Sequence, residues 1–114
     1  MKTEHQEQVE FVNWFRVNYP AILIFAIPNG GFRHPATGRK LKAEGVVKGI
    51  PDLFAPEWNL WIEMKRSRGG AVTADQKAMM DYLKRHCEHQ AIVANGFDDA
   101  KRQILAFAGR RQKW

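Results

Sequence analysis

The sequence runs to 114 residues with 18 Lys and Arg against 12 Asp and Glu, a net charge of +6 and a pI near 9.8. This length sets an expectation of one domain, residues 1–114, since domains usually hold about 100–200 residues. With 45% hydrophobic and 26% charged residues the composition excludes a disordered chain, and no apolar run approaches the roughly 20 residues of a membrane span. The single cysteine, Cys87, excludes an internal disulfide and a Cys-rich zinc site, and residues 1–7 lack the apolar stretch of a secretion signal. A reducing, cytoplasmic setting is therefore expected.

Residues 3–18 read as a helix. Thr3 and Gln6 have the capping-box form, and Glu7, Phe11, Trp14 and Phe15 follow helical spacing below it. Pro20 closes the helix. The apolar run 21–27 has strand length and ends in Pro28-Asn29-Gly30-Gly31. Residues 30–49 are polar, basic and Gly-rich, with a short helix expected around 41–46. Short strands follow at 52–55 and 60–65, joined by a turn at Pro56-Glu57-Trp58-Asn59. A helix is expected over 73–86 with Met79, Tyr82 and Leu83 on one face, then a strand at 91–94 and a helix at 97–108. The order α-β-(loop)-β-β-α-β-α predicts an α/β fold, a mixed sheet flanked by helices.

The positive charge is clustered. Arg33, Arg39, Lys40, Lys42 and Lys48 face a single acid, Glu44, in the 33–48 stretch, and residues 101–114 hold five more basic residues and no acid. Basic domains of this kind bind polyanions, nucleic acid first among them.

Two segments carry chemistry: Gly49-Ile50-Pro51-Asp52-Leu53 and Trp61-Ile62-Glu63-Met64-Lys65. Strand alternation puts Trp61, Glu63 and Lys65 on one face, with Met64 opposite. If the two strands are neighbours, Asp52, Glu63 and Lys65 converge at one sheet edge. Adjacent carboxylates repel, and a divalent cation such as Mg²⁺ relieves the repulsion through oxygen ligands. A bound metal stabilises charge on a phosphoryl group, and a neighbouring lysine can orient or deprotonate the attacking water. The set suits metal-assisted phosphodiester hydrolysis. Acids on so apolar a strand are costly to desolvate unless they build a site.

With Pro51-Asp52 and Glu63-Met64-Lys65, the sequence resembles the PD-(D/E)xK nuclease superfamily. Within it the chain is similar to the VRR-NUC family, the virus-type replication and repair nuclease domain. The further matches are Ile27-Pro28-Asn29-Gly30-Gly31, Leu41-Lys42-Ala43-Glu44-Gly45-Val46 and Gln76, and the resemblance spans roughly residues 3–108. It looks like the compact stand-alone, phage-type members. The resemblance implies a PD-(D/E)xK nuclease-like core. It also implies Asp52 and Glu63 as metal ligands for Mg²⁺ or Mn²⁺, helped by the backbone carbonyl of Met64, with Lys65 as the catalytic lysine. A further ligand is expected from the first helix: Glu7 is chosen because it heads the Phe11–Trp14–Phe15 stripe, with Glu4 and Glu10 as rivals. Gln76 is either a site residue or the capping partner of Thr73. Asn29 is expected to touch substrate beside the basic residues 33–48.

The expected activity is a structure-selective DNA endonuclease acting on branched DNA such as Holliday junctions, in the cytoplasm of a bacterial or phage-infected cell. The alternative is a non-catalytic nucleic-acid-binding module; a sequence-specific restriction-type enzyme lacks room for a reading domain. A four-way junction needs two symmetric cuts, and a two-fold homodimer supplies two sites. The aromatic load suggests an interface, and Trp58 is expected either in the core or at that interface.

Overall fold

The computed structural model describes residues 1–28 and 35–111. Thr3 caps the first helix, α1 (Glu4–Asn18): its hydroxyl accepts from the Gln6 amide at 3.1 Å while the Gln6 side chain accepts from the Thr3 amide at 2.9 Å. Four strands follow, β1 (Phe25–Ala26), β2 (Leu53–Ala55), β3 (Leu60–Lys65) and β4 (Gln90–Asn95). They lie in the order β1-β2-β3-β4, antiparallel except for the parallel β3–β4 pair. The sheet is therefore mixed, as the sequence predicts. The helix α3 (Ala74–His86) forms the crossover between the parallel strands, and α4 (Phe97–Arg111) follows β4.

Two elements differ from expectation. The strand expected over 21–27 contracts to Phe25–Ala26, because the chain is still turning at Ile22, whose amide donates to the Tyr19 carbonyl. Its partner β2 also offers only three residues, so the pairing is Phe25 with Phe54 and Ala26 with Leu53. The helix expected around 41–46 begins earlier, as α2 (Pro35–Ala43). It stops before Val46 because Gly45 takes φ +103°. The Val46 amide then reaches back to Leu41 and the Gly45 amide to Lys42, both at 3.0 Å, the double return of a Schellman motif.

The core lies on one face of the sheet. Leu60, Ile62 and Met64 of β3 pack there with Phe11 and Phe15 of α1 and Ile104 of α4. Trp58, expected in the core or at an interface, belongs to this core: it is buried, its ring centroid 5.3–5.6 Å from those of Phe15, Tyr19 and Phe107. The short 3-10 turn Pro56–Trp58 carries the ring inward, and Asn59, left-handed at φ 48°, returns the chain into β3. The aromatic load is thus largely internal. On α3 the buried pair is Met80 and Leu83, and Tyr82 is half exposed, so the inward face is one residue round from the expected one. Among the described residues no helix is long and apolar enough to cross a membrane.

Candidate active site

The second face of β3 carries Glu63 and Lys65, both buried. The antiparallel register, Leu53 against Ile62, brings Asp52 alongside the end of β3. One Asp52 carboxylate oxygen accepts the Met64 backbone amide at 2.8 Å, which fixes its orientation. The approach to Asp52 depends on Gly49. Its φ is +84°, and a Cβ there would lie 2.5 Å from the Asp75 carbonyl oxygen in the first turn of α3. Both the left-handed backbone and the close approach demand glycine. Gly49→Ala is expected to lower the melting temperature by about 5 °C or more, since such strain costs on the order of 1–3 kcal/mol. It should also weaken Mn²⁺ binding by displacing Asp52; thermal melts and calorimetric titration check both effects.

The Gln76 side chain fills both roles that the sequence leaves open to it. Its Oε1 accepts from the Thr73 amide at 3.0 Å, closing the capping box of α3, and also from the Lys65 Nζ at 2.9 Å. Its Nε2 donates to Glu63 Oε2 at 3.0 Å. The amide orientation is set by these partners, because a flipped amide would aim N–H groups at an ammonium and a backbone N–H. Lys65 Nζ also lies 3.4 Å from Glu63 Oε2.

The other Glu63 oxygen, Oε1, is buried and has no hydrogen-bond partner among the described residues. Burial, then the negative charge of Asp52, pushes the Glu63 carboxyl up to about 8, against the opposing pull of Lys65. A buried carboxylate oxygen without a partner is costly; a proton held against Asp52 or a bound cation relieves it. Oxygens of Glu4, Asp52 and Glu63 lie within 4.8 Å of one another. Three carboxylates in that space fit a hard divalent ion.

The helix-1 acid in this cluster is Glu4, not Glu7. Glu7 does face inward, as its stripe predicts, but its Oε1 accepts the Phe97 amide at 3.0 Å, at the start of α4. It thereby satisfies an orphan donor at a helix N-terminus, where negative charge is favoured. Gly96 leaves room for it, since a Cβ there would lie 2.8 Å from Glu7 Oε2. Glu10 is paired with Lys2. Met64 enters the site through its amide.

Of the basic residues, Arg39, Lys42 and Lys48 line an open groove of about 1010 Å³ that reaches Asp52 and Gln76. Lys40 is exposed on α2 outside that lining, and Asn29 and Arg33 lie outside the described residues. A second cavity of about 470 Å³ lies on the Glu4 and Lys65 side and includes Lys2 and Arg66. Arg66 was missed in the sequence, although the run Arg66-Ser67-Arg68-Gly69-Gly70 directly after Lys65 was a visible signal. Trp61, expected near the carboxylates, instead stacks on Phe54 at 4.1 Å and donates to His89 Nδ1 at 2.9 Å.

No protein-family model matches the chain, and no curated protein matches it. Among solved structures it is similar to one described as a VRR_NUC domain protein, with a TM-score of 0.74 and 25% identity over 93% of this chain and 88% of that one. The mixed sheet flanked by helices is thus a VRR-NUC-type, α/β nuclease-like core.

Proposed function

We propose that this chain, built as a VRR-NUC-type domain, is a divalent-metal-dependent endodeoxyribonuclease that hydrolyses phosphodiester bonds in branched DNA such as Holliday junctions. The observation that carries the reading is the buried, unpartnered Glu63 Oε1 beside Asp52 and Glu4. A module that only binds nucleic acid gains nothing from that arrangement, which raises the cost of folding.

Asp52, Glu63 and Glu4 would hold Mg²⁺ or Mn²⁺, with the Met64 carbonyl as a further oxygen donor; Glu4 takes the part expected of Glu7. When bound, the ion would supply Lewis-acid stabilisation of charge on the phosphoryl group and lower the pKa of a coordinated water. Lys65 orients the attacking water, and Gln76 holds the Lys65 ammonium on one side and Glu63 on the other. The Lys65 ammonium also offsets negative charge as it develops at the phosphate.

Arg39, Lys40, Lys42 and Lys48, with Arg33 and Asn29, bind the DNA backbone and position it without reading sequence. The logarithm of the binding constant should then fall with the logarithm of salt concentration, with a slope of about 0.9 per duplex phosphate neutralised. Replacing Lys42 or Lys48 by Ala should reduce that slope by up to about one unit, equally on different sequences. A slope unmoved by both changes places the binding surface elsewhere.

A homodimer with two sites suits a two-fold junction, the domain acting as a unit in each copy. Light scattering at micromolar concentration should then give twice the 13.2 kDa chain mass without DNA; a monomer across that range removes the preformed dimer. The test of the activity itself is to incubate labelled four-way junction, flap and linear duplex with the protein, with and without Mg²⁺ or Mn²⁺. Metal-dependent cutting that favours branched forms is expected. Binding of all three without cutting in either metal would support the non-catalytic module instead.

A further inference from the structure

Among the described residues, two clefts meet the Glu4, Asp52 and Glu63 carboxylates. The groove of Lys42 and Lys48 meets them at Asp52. The cavity of about 470 Å³ meets them at Glu4, and Lys65, Arg66 and Lys2 also line it. The two clefts share no lining residue, so they open on different sides of the cluster.

Within the cavity, Lys2 is paired with Glu10 and Lys65 with Glu63, whereas Arg66 forms no ion pair with any acid among the described residues. Its guanidinium donates to the Gly69 carbonyl at 3.3 Å, which folds the side chain over its own turn and leaves most of its five N–H groups free among the described residues. The turn is fixed in its own right. Gly70 lies so close to the end of β3 that a Cβ there would be 2.9 Å from the Lys65 Cβ. Arg66 is therefore an exposed, unpaired cation carried by backbone that is clamped beside Lys65.

A DNA strand whose scissile phosphate meets a cation on the three carboxylates continues in both directions, with one negative charge per nucleotide. On the Asp52 side the groove lysines receive it. On the Glu4 side an exposed carboxylate repels it, and Arg66 is the unpaired charge that offsets the repulsion. A planar guanidinium grips a phosphate through two N–H groups at once, and a cavity of this volume falls in the roughly 300–1,000 Å³ range of ligand clefts.

The geometry points to a second phosphate site: Arg66 holds a phosphate of the cut strand in the Glu4-side cavity, across the scissile bond from the phosphate held by Lys48. The inference rests on the nuclease reading and deepens it, since the cut strand then spans both clefts. Arg66 is a substrate contact in this scheme and has no part in holding the metal.

The test uses an immobile four-way junction with methylphosphonates, which delete the charge of a chosen phosphate, placed at one matched position at a time in two opposed strands. Gel shifts in EDTA compare the wild-type chain with Arg66→Ala and Lys48→Ala. Arg66→Ala is expected to lose about tenfold in affinity for the unmodified junction, with the salt slope lower by up to about one unit. One methylphosphonate that weakens wild-type binding should leave Arg66→Ala unaffected, and a different one on the same strand should leave Lys48→Ala unaffected. Cleavage in Mg²⁺ or Mn²⁺ should fall between those two phosphates. No loss in either variant, one phosphate shared by both, or a cut outside the interval overturns the proposal. Calorimetric titration with Mn²⁺ and no DNA supplies a readout that a role in shaping the carboxylate cluster would move: Arg66→Ala should bind Mn²⁺ at least as tightly as the wild type, and weaker binding overturns the proposal. Absence of cutting in both metals would remove the nuclease reading and leave the map of phosphate contacts standing, so the two failures are distinguishable.

Discussion

Glu63→Gln is expected to abolish cleavage while raising the melting temperature of the metal-free protein at pH 8. The loss of activity follows from removing a charged oxygen from the cation site, and by analogy with single transition-state stabilisers it should reach at least about 10³-fold in rate. The gain in stability follows from the sign of the Glu63 shift. Its carboxyl is raised from 4.5 to about 8 in the folded chain, by burial first and then by Asp52. Below about pH 4.5 the group is protonated in both the folded and the unfolded chain and contributes nothing. As pH rises towards 8 the unfolded chain releases the proton first, so the folded state loses stability across that window. Glutamine removes this dependence. It keeps an oxygen for the Gln76 amide and directs its own N–H groups towards Asp52. A gain of about 5 °C or more at pH 8, with little change at pH 5, is the expected result in calorimetric melts. Saturating Mn²⁺ should erase the difference by stabilising the wild-type protein alone. Equal melting of the two proteins at pH 8, or retained cutting by the variant, contradicts the assignment.

Glu4→Ala and Glu7→Ala should fail in opposite ways. Glu4 is exposed, so its loss leaves the melting temperature nearly unchanged but weakens Mn²⁺ binding by about tenfold or more and lowers cleavage in step. Glu7 is buried against the start of α4, so its loss orphans the Phe97 amide and opens a gap. That should cost about 1–3 kcal/mol and lower the melting temperature by several degrees, while Mn²⁺ affinity at a temperature where the protein is folded stays near wild type. If Glu7→Ala removes metal binding and Glu4→Ala does not, the two acids have been exchanged.

That pair also marks the limit of what the residues reveal unaided. The inward position of Glu7 was legible, because spacing along a helix is a local property. Its partner was not, because a helix stripe says nothing about which amide or cation lies across from it. Glu4 and Glu7 sit three residues apart on neighbouring faces, and only the docking of α1 separates their roles. The boundaries of α1 and α3 were readable from Thr3-x-x-Gln6 and Thr73-x-x-Gln76, since caps are written in adjacent residues. The extent of β1 was not, because β2 and the turn at Ile22 decide it. The Asp52, Glu63 and Lys65 grouping was legible because β2 and β3 are sequential and antiparallel, and such strands pair with their neighbours. For Trp58 the choice between core and interface stayed open, because composition counts rings without saying where a 3-10 turn directs them.

The bond from the Phe97 amide to Glu7 joins residues ninety positions apart. Its consequence concerns the order of events during synthesis. Contacts this distant in sequence close late, since ordering the intervening chain comes first. The helix that carries Glu4 leaves the ribosome ahead of every strand, yet part of its docking surface, α4, emerges after all of them. A nascent chain that already exposes Asp52, Glu63 and Lys65 therefore lacks a firmly held third carboxylate. The three-carboxylate cluster is therefore complete only after α4 has been added and α1 has closed against it.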